Sequence, residues 1–92
     1  MLPKISSYGN YSDNRNVVIP SLQIDLGEIT LYYSYNTIVA YSDSQDGQIV
    51  CRNEWGVTTG KHLNWINPNH KTRTPINEFQ TMLIDALKRH IQ

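Results

Sequence analysis

Across residues 21–26 apolar and polar side chains alternate, with Leu22, Ile24 and Leu26 on one face and Ser21, Gln23 and Asp25 on the other. A period of two marks a half-buried strand. Gly27 and Glu28 make a short turn, after which Ile29, Leu31, Tyr33 and Tyr35 alternate with Thr30, Tyr32 and Ser34, so a hairpin is predicted. Asn36 offers a break or a bulge, and the β-branched and aromatic run at residues 37–41 predicts a third strand. The turn sequence Asp43-Ser44-Gln45-Asp46-Gly47 follows, with Gly47 suited to a positive φ, and residues 48–53 return as a fourth strand. Four consecutive strands with short connections imply an antiparallel meander.

The period then changes. Leu63 and Ile66, three apart with Trp65 beside them, predict a short helical turn near residues 58–66 that Thr58 or Thr59 can cap, and Asn67-Pro68 stops it. Ile76, Phe79, Leu83, Ala86, Leu87 and His90 trace a helical stripe, with Met82 and Ile91 at its border. Thr74 reads as its N-cap and Pro75 as its first residue, while Glu78 suits the positive end of the helix and Lys88, Arg89 and His90 the negative end. The sheet needs a cover and this helix is the long element available, so it is expected across one face. The predicted class is α+β: a four-stranded, mainly antiparallel sheet with one C-terminal helix on it.

Residues 1–16, rich in Ser, Asn, Gly and Tyr, show no periodicity and read as a flexible arm; residues 17–92 read as the single α+β domain, with a strand start at Val17, Val18 and Ile19 that Pro20 confines to an edge. A chain of 92 residues has a thin core, so leftover apolar surface is candidate contact surface. Its net charge of zero argues against binding nucleic acid by overall positive charge, although the charge is uneven. Two cations against five carboxylates leave −3 in residues 1–50, and six against three leave +3 in residues 51–92. The lone Cys51 forms no intramolecular disulfide, and neither a signal-peptide run nor a membrane-length apolar stretch is present. A soluble protein of the cytoplasm is expected.

Chemistry concentrates in residues 31–66. In Val57-Thr58-Thr59-Gly60-Lys61-His62, two hydroxyls, a glycine, an ammonium and an imidazole meet where a helix begins, which suits a phosphate or carboxylate. The plainer reading is that the threonines cap, Gly60 turns the chain, and Lys61 and His62 are solvated. A Walker-type loop is excluded, because the glycine spacing is one residue short and His62 stands where Ser or Thr is required. Tyr32, Tyr33, Tyr35 and Tyr41 divide between the sheet faces. The face without the helix is expected to show tyrosine to solvent as a partner surface, unless these rings serve cross-strand pairing or base stacking. Trp55 and Trp65 flank the candidate anion site. Against an enzyme, the three histidines lack zinc-ligand spacing and no paired carboxylates or HExxH motif is present. Cys51 beside Arg52 reads as a buried, inert thiol before a reactive one. No metal or other cofactor is expected.

The strand motif Tyr35-x-Thr37-x-Val39-Ala40, then Trp55 and the run Thr58-Thr59-Gly60-Lys61-His62-Leu63-Asn64, resembles a family of small uncharacterised proteins from phages, plasmids and archaeal mobile elements. The likeness covers about two thirds of the chain, reaching weakly through Glu78 and Phe79 and leaving out the N-terminal arm. It implies a setting and no assigned chemistry. Small phage proteins without catalytic motifs often inhibit host machinery, CRISPR effectors and other defence systems included. That setting makes a non-enzymatic protein that blocks a host protein the leading expectation, and the reading of the residues themselves supplies its contacts: the tyrosine face with Tyr32, Tyr33, Tyr35 and Tyr41, and the segment with Trp55, Thr58, Thr59, Gly60, Lys61, His62 and Trp65. The other class is a nucleic-acid or nucleotide binder seating phosphate on residues 58–62. Exposed strand edges and the tyrosine face favour a homodimer.

Overall fold

A computed structural model of the chain describes residues 3–7 and 21–91. Strands β1 (Lys4–Ser7), β2 (Ser21–Asp25), β3 (Ile29–Ser34), β4 (Thr37–Asp43) and β5 (Gly47–Val50) form one antiparallel sheet in sequence order. Helices α1 (Val57–Ile66) and α2 (Ile76–Ile91) follow, with a short 3-10 turn at His70–Thr72 between them. The α+β meander is as the alternation predicts, but the sheet has five strands and not four. The extra strand lies inside the expected arm: Ile5 pairs with Ile24 and Lys4 with Asp25. Ile5 is exposed, so this edge strand carries no burial signal and owes its form to pairing with β2. Residues 8–16 of the expected arm, and the strand start at Val17, Val18 and Ile19, lie outside the described residues.

Parity in β3 sends Ile29, Leu31 and Tyr33 towards α2, and Tyr32 and Ser34 towards α1. The β3–β4 turn sits at Tyr35 and Asn36, and the bulge comes later than Asn36. Tyr32 pairs with Ala40 but Tyr33 with Ile38, leaving Val39 as the extra residue. Val39 and Ala40 consequently both face α1, while Ile38 and Tyr41 both face α2. A bulge lets one strand serve two cores.

The larger core lies between sheet and α2, where Phe79 and Ala86 meet Ile29, Leu31, Tyr41 and Cys51, with Ile76, Leu83 and Leu87 packed around them. Burying a side chain such as Phe79 stabilises the fold by roughly 1.5–3 kcal/mol. The helix starts slightly later than its sequence suggests. The backbone of Thr74 pairs with the end of β5, donating to Val50 and accepting from Arg52, and the carbonyl of Pro75 accepts the helical bond of Phe79 at 2.9 Å. Pro75, not Thr74, thus holds the capping place. Among the described residues no helix is long and apolar enough to cross a membrane.

The smaller core lies under α1, where Leu63 and Ile66 pack on Tyr32, Val39, Ala40 and Val50. This corrects the expectation of an open tyrosine face. The 58–66 turn is a ten-residue helix, and it covers part of that face.

Candidate functional site

Helix α1 begins at Val57 with Gly56 at its N-cap, and no side chain caps it. Thr58 and Thr59 are therefore inside the helix, contrary to the capping expectation. The approach is shaped instead by Asn53, whose carboxamide oxygen accepts from the amides of Trp55 (2.9 Å) and Gly56 (3.3 Å) and whose nitrogen donates to the Gly56 carbonyl (2.9 Å). A Cβ on Gly60 would lie 3.0 Å from that Asn53 nitrogen. A helical glycine costs about 1 kcal/mol relative to alanine, and here it makes room for the Asn53 bracket.

Successive residues of α1 then diverge. Thr59 and His62, three apart, point into the sheet, where the Ser34 hydroxyl lies 2.8 Å from Thr59 Oγ1 and 2.6 Å from His62 Nδ1. Burial pushes the His62 imidazole below its ordinary value, so the buried ring is neutral. A Ser–His contact is also the pairing that activates a nucleophile. Ser34 and His62 are 3% and 0% exposed, however, which seals both atoms from any substrate in this conformation. Lys61 points outward from the same turn. The Gly60 amide, expected to face an anion, is engaged by the Gly56 carbonyl at 2.9 Å. Thr58, Thr59, Gly60, Lys61 and His62 thus form no shared concavity; they belong to two sides of one helix.

The outer side of α1 is apolar for a surface. Val57 and Trp65 are 79% and 56% exposed, in line with Lys61 at intervals of four. Trp55, 40% exposed, immediately precedes the helix, and Tyr35, 53% exposed, sets its ring 5.8 Å from that of His62. Tyr35 has φ of 57°, in the left-handed region. An aromatic residue is strained there by about 1–2 kcal/mol, where glycine would not be.

The remaining tyrosines are placed differently. Tyr32 is half-buried under α1, and Tyr33 is half-buried on the α2 face, where it lines a groove with Trp55. Tyr41 is a core residue: its ring tilts against Phe79 and its hydroxyl donates to Asp46 at 2.7 Å. Burial, that hydrogen bond and the neighbouring carboxylates push its phenol well up. Burial and then the Glu54 charge push the Cys51 thiol up to about 11, the state of an inert core cysteine. Among the described residues no group of His, Cys, Asp or Glu is placed to hold a metal ion.

Residues 4–81 match a family of unknown function, DUF8033. The chain belongs to that family. Neither a curated protein nor a solved structure matches it. The stretch shared with DUF8033 takes in all five strands, α1 and the first part of α2, and it stops short of Arg89 and His90.

Several residues of this DUF8033 chain have partners that the sequence taken alone does not indicate. Ser34 is a polar residue at an inward strand position, and that parity is the one available hint. Arg73 is buried beside the C-terminal end of α1, donating to the Asn64 side chain at 2.9 Å and to the Asn67 carbonyl at 3.3 Å. A cation is favourable at that end of a helix. Asp43 accepts from Arg89 at 2.8 Å and lies 2.9 Å from His90 Nε2, tying the end of α2 to the β4–β5 turn. Arg89 and His90 are 46 and 47 residues from Asp43 in the chain, beyond any local pattern.

Proposed function

We propose that this chain is a non-enzymatic binding protein of mobile-element origin, working in the host cytoplasm, that inhibits a host protein such as a CRISPR or other defence component by occupying its surface. The observation that carries the reading is the clustering of exposed apolar side chains. Of the six large ones exposed among the described residues, Tyr35, Trp55, Val57 and Trp65 gather on α1 and its approaches. Aromatic side chains of this kind dominate the energetics of protein contacts, and a patch on so small a domain is costly to leave wet. The strained backbone of Tyr35 adds support, because an exposed aromatic ring stands there where glycine would carry no strain. The seal over Ser34 and His62 speaks for a non-enzymatic role. Resemblance to mobile-element proteins supplies the setting.

The test is recovery of a partner from lysate of the native host by the tagged chain, compared with Trp65→Ala and Val57→Asp variants. A protein retained by the parent chain in high salt and after nuclease, and lost by both variants, is the expected result. Retention that nuclease abolishes, or that falls steeply with salt, would instead mark a phosphate-bearing partner seated near Lys61. The same patch offers a homodimer contact; a monomer by light scattering at high micromolar concentration removes that part of the proposal.

A further inference from the structure

On the opposite face, a groove of about 380 Å3 runs between the β3–β4 turn and the first half of α2. Its lining includes buried Phe79, half-buried Ile38, Leu83 and Tyr33, and exposed Trp55. Its size is near the lower end of the roughly 300–1,000 Å3 typical of ligand pockets, enough for one large side chain and the backbone on either side of it. No charged side chain is among the residues lining it. The rim carries two carboxamides, Asn36 from the turn and Gln80 from α2. The oxygen of Asn36 receives a long 3.4 Å contact from the Thr37 hydroxyl, while the nitrogen of Asn36 and the whole carboxamide of Gln80 have no partner among the described residues.

We infer that this groove receives one uncharged apolar side chain of an extended peptide segment from a partner protein, with Asn36 and Gln80 pairing with the main-chain amides that flank it. A charged occupant would be desolvated over Phe79 and Leu83 with no counter-charge, so the lining selects against it. A carboxamide both donates and accepts, as a peptide group does, and one stands on each wall. Trp55 and Tyr33 in the lining give rigid apolar contact at little entropic cost. The groove shares Trp55 with the approach to α1 but includes none of Val57, Lys61 and Trp65, which make up the outer side of that helix.

The probe is the capped tripeptide acetyl-Gly-Leu-Gly-amide, titrated into the full chain and followed by amide NMR. Acetyl-Gly-Asp-Gly-amide and adenosine serve as comparisons. The leucine peptide should shift the Trp55 indole and the Asn36 and Gln80 side-chain amides saturably, with affinity at least about tenfold above that of the aspartate peptide. Gln80→Ala and Trp55→Ala, both at exposed positions, should weaken that binding several-fold while leaving the rest of the spectrum in place. Trp65→Ala should leave it unchanged, so failure of the α1 contact and failure of this groove are told apart. Equal response to the aspartate peptide, stronger response to adenosine, no saturable shift at these groups, or unaltered binding in both variants would overturn the inference.

Discussion

The Ser34 hydroxyl on β3 lies 2.6 Å from Nδ1 of His62 on α1, joining residues 28 apart across the smaller core. Because the ring is buried neutral, its pKa in the folded chain is below the ordinary 6.5 it has when unfolded. The unfolded chain then binds the extra proton more readily, so stability is full above about pH 6.5 and falls as the pH drops through that value. Comparing urea midpoints between pH 7.5 and 5.5, the parent chain should lose more stability than His62→Gln does. Equal losses would show that His62 does not contribute. Ser34→Ala should cost about 1–3 kcal/mol at pH 7.5, since it strips a partner from buried polar atoms.

The two threonines of α1 should separate cleanly. Thr59→Ala removes a hydroxyl bonded to Ser34 in the core and should destabilise by about 1 kcal/mol. Thr58→Ala and Lys61→Ala alter exposed side chains and should stay within about 0.5 kcal/mol of the parent in thermal unfolding. A larger loss for Thr58 than for Thr59 would restore the capping role that the helix start at Val57 contradicts.

Acid should release the end of α2. Burial by itself would push the Asp43 carboxyl up, but hydrogen bonds from Arg89, the Asp46 amide and His90, together with the Arg89 charge, hold it at about 2 against an ordinary 3.8. Its folded pKa is depressed, so this stabilisation is present above about pH 3.8 and is lost as the pH falls towards 2. Asp43→Asn should therefore lower the urea midpoint at pH 7 far more than at pH 2. A loss of the same size at both pH values would place the effect in packing and not in the carboxylate.

Tyr35→Gly distinguishes a residue kept for its side chain from one kept for the turn. Glycine relieves the left-handed backbone but makes the unfolded chain more flexible, and it removes the ring set against His62. The thermal midpoint should change little, while recovery of the host partner should be lost. A fall in stability as large as that of a core substitution, about 2–5 kcal/mol, would make Tyr35 structural.

The alternation of residues 21–35, the Asp43–Gly47 turn and the stripe from Ile76 to Leu87 determined by themselves an antiparallel meander with a covering helix. Each is a local pattern, and burying one face of a strand or helix has few solutions. What the sequence could not carry was decided by contacts between distant segments. The strand Lys4–Ser7 exists because β2 offers an unpaired edge, not because its own residues demand it. Val57–Ile66 covers the second face because the Val39 bulge turns two consecutive residues towards Leu63. That packing sends His62 inward to Ser34 and leaves Lys61 outside, which dissolves the anion seat that spacing alone suggested. A run of polar residues reads the same whether its groups converge or part. Helix geometry sends neighbouring side chains to different sides, and the sheet beneath decides which side is buried.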